Sequence, residues 1–113
     1  IRNLCFYQEC IKGDIAKYYL QYMKIGNTSL YAFPGEIFVY FGLYIKEHAK
    51  TKNNIVCSFA NGGCGYVATR EAFLPCSRLY ERNLCVGACL APDAGYIMTE
   101  RLLKMSEIKE VKS

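Results

Sequence analysis

At 113 residues with 52% hydrophobic and 14% aromatic composition, the chain has the make-up of one globular domain with a core, not of a disordered tail. Its formal net charge of +4 is spread out, and the nearest thing to a basic patch, Lys46, Lys50 and Lys52, is interrupted by Glu47, so a nucleic-acid partner is not expected. The longest apolar run, Ile37 to Ile45, falls well short of the roughly 20 residues that span a bilayer, and no signal-peptide pattern opens the chain. Residues 1 to 12 are weakly helical and end at Gly13-Asp14. Leu20 to Ile25 and Ser29 to Phe33 are rich in β-branched and aromatic residues, and Gly26-Asn27 between them predicts a hairpin. Phe33-Pro34-Gly35-Glu36 breaks this pattern. Proline cannot donate to a ladder, and glycine permits backbone angles closed to other residues. Ile37 to Lys50 then reads as a helix, with Phe38, Phe41 and Ile45 on one face and Lys46, His48 and Lys50 at its negative end. Ile55 to Ala60 reads as a core strand running into Asn61-Gly62-Gly63-Cys64-Gly65, a loop built for close backbone approach. Thr69 caps a short helix through Phe73. Residues 74 to 91 are irregular, and Pro92 with Asp93 opens a final helix whose Ala94, Ile97, Met98, Leu102 and Met105 share one face. The order is β-β-α-β-α, a mixed α/β layout with helices packed on a small mixed sheet.

Seven cysteines, Cys5, Cys10, Cys57, Cys64, Cys76, Cys85 and Cys89, include no C-x-x-C pair. Several sit in apolar runs, where a reduced thiol behaves as a small hydrophobe. The odd count favours a reducing, cytoplasmic-type compartment. A rival reading gathers Cys64, Cys76, Cys85 and Cys89 around a structural zinc, on spacings that match no familiar framework. The single histidine, His48, reads as a solvated helix-end residue. No nucleophile elbow, phosphate loop or histidine pair is present.

Three segments say more together than apart. Phe33-Pro34-Gly35-Glu36-Ile37-Phe38 is followed by Asn61-Gly62-Gly63-Cys64-Gly65-Tyr66-Val67-Ala68-Thr69-Arg70-Glu71-Ala72-Phe73, and then by Leu90-Ala91-Pro92-Asp93-Ala94-Gly95. In this order they resemble the C-terminal part of the catalytic domain of the neutral/alkaline ceramidase family, over about residues 20 to 105. The resemblance implies that residues 1–113 form one partial domain of a zinc-dependent amidohydrolase acting on N-acyl sphingoid lipids. It also implies that Glu36 and Tyr66 are a carboxylate and a phenol ligand of the catalytic zinc, completed by two histidines from an N-terminal half. A phenol ionises at about 10, so it serves as an anionic ligand only beside a cation.

The chain departs from the family where Leu74-Pro75-Cys76-Ser77-Arg78 replaces a Gly-Gly-Tyr-Glu-like stretch. It also lacks the partner histidines and the family's serine-bearing motif. No residue of the chain is therefore assigned a catalytic role, and the isolated chain is expected to be inactive and without bound zinc. The expected partner is the missing half or a second copy. Tyr18, Tyr19, Tyr22, Tyr31, Tyr40 and Tyr44 are more rings than a small core readily encloses, so an apolar patch is expected beside Glu36 and Tyr66. Two further readings stay open: a non-catalytic remnant that binds a partner chain, and a small cysteine-metal structural domain.

Overall fold

A tight reversal starts the sheet. In the computed structural model, which describes residues 18–77 and 90–108, β1 (Gln21–Ile25) and β2 (Thr28–Ala32) pair antiparallel with Ile25 opposite Thr28. Only two residues remain for the turn, and Gly26 takes a φ of 58°. Positive φ at the first central residue matches the twist of the flanking strands, and glycine adopts it without a steric penalty. A short bridge strand β3 (Glu36–Ile37) and helix α1 (Val39–His48) then carry the chain to β4 (Asn53–Cys57), which pairs parallel with β2. The sheet order is β1-β2-β4. A second, two-stranded sheet joins β3 to β5 (Tyr66–Val67), also in parallel. One 3-10 turn (Arg70–Phe73) follows, and helix α2 (Ala94–Glu107) closes the described fold. The mixed α/β class expected from the sequence is the one observed.

Helices cover one face of the main sheet. Tyr22, Ser29, Tyr31 and Val56 point to that face by register, and α1 and α2 pack over it. Tyr31, Phe33, Phe41, Ile45, Cys64, Val67, Met98 and Leu102 form the buried core. Ser29 is buried but satisfied, since its hydroxyl bonds the Tyr22 hydroxyl at 3.0 Å and the Thr51 hydroxyl at 2.8 Å. Burying such a group without partners costs about 1–3 kcal/mol. Tyr31 shows that cost. Its ring is fully buried, and its hydroxyl finds no hydrogen-bond partner among the described residues. Tyr31→Phe is accordingly expected to leave stability unchanged or to raise it by up to about 1 kcal/mol. A urea titration reads this directly; a loss beyond about 1 kcal/mol means that the hydroxyl is satisfied after all.

The structure corrects several sequence expectations in detail. The first helix begins at Val39, not Ile37, because Glu36 and Ile37 pair in a ladder and the Phe38 N–H extends it to the Val67 carbonyl at 3.0 Å. The core strand ends at Cys57, not Ala60, because Phe59 turns into the left-handed region at φ 55°. Pro92 and Asp93 lie in a turn before α2, and the Asp93 carboxylate accepts from Arg70 Nε at 2.6 Å without capping the helix. The buried face of α2 is Gly95, Met98, Thr99 and Leu102, while Ile97 stays 55% exposed. That face is set by Phe41, whose ring occupies the space a Gly95 side chain would fill. The helix expected over residues 1 to 12, most of the irregular stretch 74 to 91, and Cys5, Cys10, Cys85 and Cys89 lie outside the described residues. Among the described residues no helix is long and apolar enough to cross a membrane.

Candidate functional site

Two of the segments singled out in the sequence are joined along their backbones. The carbonyls of Phe33, Pro34 and Gly35 accept from the N–H groups of Ala60 (2.8 Å), Cys64 (3.1 Å) and Phe59 (3.1 Å). In return the Phe33 N–H donates to the Cys57 carbonyl and the Glu36 N–H to the Gly65 carbonyl, both at 2.9 Å. The Pro-Gly corner is thus held through each of its residues, as buried backbone polar groups require.

Glycine at position 35 is what lets the strands come this close. A Cβ there would lie 2.4 Å from the Gly65 carbonyl oxygen and 2.5 Å from Cys64 Sγ. The loop reaches the corner through four residues at positive φ: Phe59 (55°), Asn61 (61°), Gly62 (103°) and Gly65 (76°). A bulky residue such as Phe59 rarely adopts that conformation, which costs on the order of 1–3 kcal/mol and tends to occur at functional sites. The Asn61 amide donates to the Gln21 side chain at 2.8 Å, tying the loop to β1 as well.

This arrangement makes Glu36 and Tyr66 register partners on adjacent parallel strands. Partners in a parallel ladder send their side chains to the same face, from backbones about 4.8 Å apart. Glu36 is exposed and Tyr66 half-buried. The carboxylate and the phenol therefore share one face at the rim of the fold. Glu36 does not cap α1, whose N-cap is Phe38 and which has no side-chain cap and no acidic residue in its first turn.

A carboxylate beside a phenol supplies two hard oxygen donors, but a catalytic zinc takes about three protein ligands and a water. Among the described residues no group of three or more His, Cys, Asp or Glu is placed to hold a metal ion. His48 does not supply a third. It is exposed at the far end of α1, where its Nδ1 lies 2.9 Å from the Tyr44 carbonyl and its ring stacks on Tyr44 at 3.9 Å. The described residues by themselves do not fit a complete zinc site, and no reaction step is assigned to one here. Of the proposed cysteine cluster, Cys64 is buried and Cys76 exposed, and Cys85 and Cys89 lie outside the described residues.

Sequence reasoning missed an aromatic cluster where α1 meets α2. Tyr40 stands 6.0 Å from Tyr44 and 5.8 Å from Tyr96, ring centre to ring centre, and the Arg70 guanidinium sits 3.8 Å over the Tyr96 ring. The spacing of Tyr40 and Tyr44 at i and i+4, repeated by Tyr96 and Glu100, was the available signal, since such pairs meet on a helix surface. The Tyr44 phenol is held above its ordinary ionisation, first by desolvation and then by the neighbouring Glu100 carboxylate, which also accepts its hydrogen bond. A phenol is neutral when protonated, so its raised pKa favours the fold below the unfolded value of about 10, and that contribution disappears as pH rises through the folded pKa. Glu100→Gln is expected to bring the phenol back towards ordinary ionisation in a tyrosinate absorbance titration; an unchanged titration would show that desolvation alone sets it.

No family model matches this chain, and neither does any curated protein or any solved structure.

Proposed function

We propose that this chain provides the carboxylate–phenol half of the metal centre of a zinc-dependent amidohydrolase that cleaves N-acyl sphingoid lipids, as the neutral/alkaline ceramidases do. The observation that carries the reading is the pairing of Glu36 with Tyr66 in one parallel register. Two segments 30 positions apart in sequence, chosen by motif, meet at the one pair of residues the resemblance makes ligands. Two histidines from a segment outside this chain complete the set. Glu36 and Tyr66 would be two of the ligands of such a zinc, which would supply an activated water and polarise the amide carbonyl. This chain's part is to hold two oxygen donors in fixed directions through the Pro-Gly corner and the glycine loop.

Exposed apolar surface supports a covering partner. The helix that leaves Glu36 turns Val39 (76% exposed), Tyr40 and Leu43 (61% exposed) outward. Met23, Ile25 and Ile55, on the sheet face opposite the helices, are exposed as well. Of the six tyrosines expected to contribute, Tyr19 and Tyr40 are exposed, Tyr18, Tyr22 and Tyr44 half-buried and Tyr31 fully buried. The same surface favours the second reading, a non-catalytic module that binds a partner chain.

Metal binding by the purified chain separates the readings. The chain is expected to purify without zinc and to take up added zinc or cobalt(II) only weakly, that uptake being abolished alike by Glu36→Gln and by Tyr66→Phe, with the circular dichroism spectrum unchanged. Neither zinc addition nor its removal is expected to produce turnover of a ceramide-type amide by the chain alone. Metal binding indifferent to both substitutions removes the metal-site assignment and leaves the binding module. A thiolate-to-cobalt charge-transfer band points instead to the cysteine-metal domain. Turnover by the isolated chain, lost in Glu36→Ala, would show the site to be complete already.

A further inference from the structure

Tyr40, Phe41, Tyr44, Tyr96 and Glu100 line a half-open pocket of about 160 Å³ whose lining does not include Glu36 or Tyr66. Whole small molecules usually occupy roughly 300–1,000 Å³, so this space suits a head group. It is lined by three phenol rings, of which Tyr44 has one face on His48 and Tyr96 one face under Arg70, and by one carboxylate, Glu100; the faces of such rings carry the negative side of the aromatic quadrupole. The cation at its rim, Arg70, is ion-paired to Asp93 at 2.6 Å. That guanidinium lies over the Tyr96 ring, so the cluster already attracts one cation from its own chain. Thr99 also lines the cavity, but its hydroxyl is committed to the Gly95 carbonyl at 2.7 Å. Hydrogen-bonding groups remain in the three tyrosine hydroxyls and in Glu100, whose carboxylate already accepts from Tyr44. A methylated ammonium spreads its charge over C–H groups that rest on ring faces, and it needs no hydrogen bond.

We propose that the cavity between Tyr40, Tyr44, Tyr96 and Glu100 binds a quaternary or methylated ammonium head group. The carboxylate balances the charge, and the rings make the contact. Neither an anion, repelled by Glu100, nor a neutral alkyl group, which gains nothing from it, uses all of these features. The site does not depend on the metal reading, because none of its residues is a candidate ligand there.

The test titrates the intact chain with tetramethylammonium and with choline, followed by tyrosine fluorescence and by chemical shifts. Saturable millimolar binding is expected, with no binding of choline's neutral tert-butyl isostere. Tyr44→Leu and Glu100→Gln, both at exposed or half-buried positions, each weaken it about three- to tenfold, with the dichroism spectrum unchanged. Arg70→Gln, which removes the rim cation, tightens it. Cosedimentation with phosphatidylcholine vesicles, lost in Tyr44→Leu, identifies the head group as a lipid's; binding of free choline without vesicle association identifies a soluble ion. Absence of saturable binding, equal binding of the neutral isostere, or weakening by Arg70→Gln overturns the proposal.

Discussion

Gly35→Ala is expected to cost about 2–4 kcal/mol and to separate Glu36 from Tyr66. The added Cβ would meet the Gly65 carbonyl oxygen at 2.4 Å, a backbone atom that already accepts the Glu36 N–H. Relief requires the loop to move away, so the overpacking cost of about 1–3 kcal/mol comes with loss of a hydrogen bond worth about 1 kcal/mol. An internal control sits in the same loop. Gly63 has no heavy atom within 4 Å of its would-be Cβ and no positive φ. Gly63→Ala should therefore be neutral or stabilise by up to about 1 kcal/mol, through the lower entropy of the unfolded chain. Urea midpoints of the two variants should move in opposite directions. If the Gly35 variant kept wild-type stability and metal binding, the corner would not be what positions Glu36.

The parts of this fold that were legible are those with local causes. Gly26-Asn27 between two β-rich runs gives the hairpin, and Ile55-Val56-Cys57 after a charged helix end gives the parallel partner of β2. The Glu36–Tyr66 meeting has no local signal in the sequence. Two-residue strands such as β3 and β5 carry no periodicity, and their ladder is made by backbone groups that every residue type shares. On the inward face of α2, Met98 and Leu102 are buried as expected but Ile97 is not, for a different reason. Ile97 is the more hydrophobic residue, but Gly95 wins the interface because a ring from another helix needs its empty space. The aromatic cavity was missed on similar grounds. The i and i+4 pair on each helix is visible in the sequence, but the contact that brings the two pairs together is not.

Phe41→Ala is expected to be among the most damaging single changes, at about 3–5 kcal/mol. Phe41 is fully buried in the core cluster, edge-on to Tyr96 at 5.2 Å and to Tyr40 at 5.4 Å. A domain has only about 5–15 kcal/mol of stability in total, so this loss is a large fraction of it. A gentler pair of variants isolates the reason. A Cβ on Gly95 would lie 2.3 Å from the Phe41 ring. Gly95→Ala should therefore destabilise by up to about 2 kcal/mol, because alanine's helix advantage of about 1 kcal/mol offsets part of a clash costing about 1–3 kcal/mol. With Phe41→Leu the ring is gone and the clash with it. Gly95→Ala added to that background should then be neutral or stabilise by up to about 1 kcal/mol. The cycle of four proteins is thus expected to be non-additive by at least about 1 kcal/mol. If the two substitutions simply added, the Phe41 ring would not be what holds α2 with Gly95 facing inward, and the placement of Tyr96 and Glu100 beside Tyr40 and Tyr44 would need another cause.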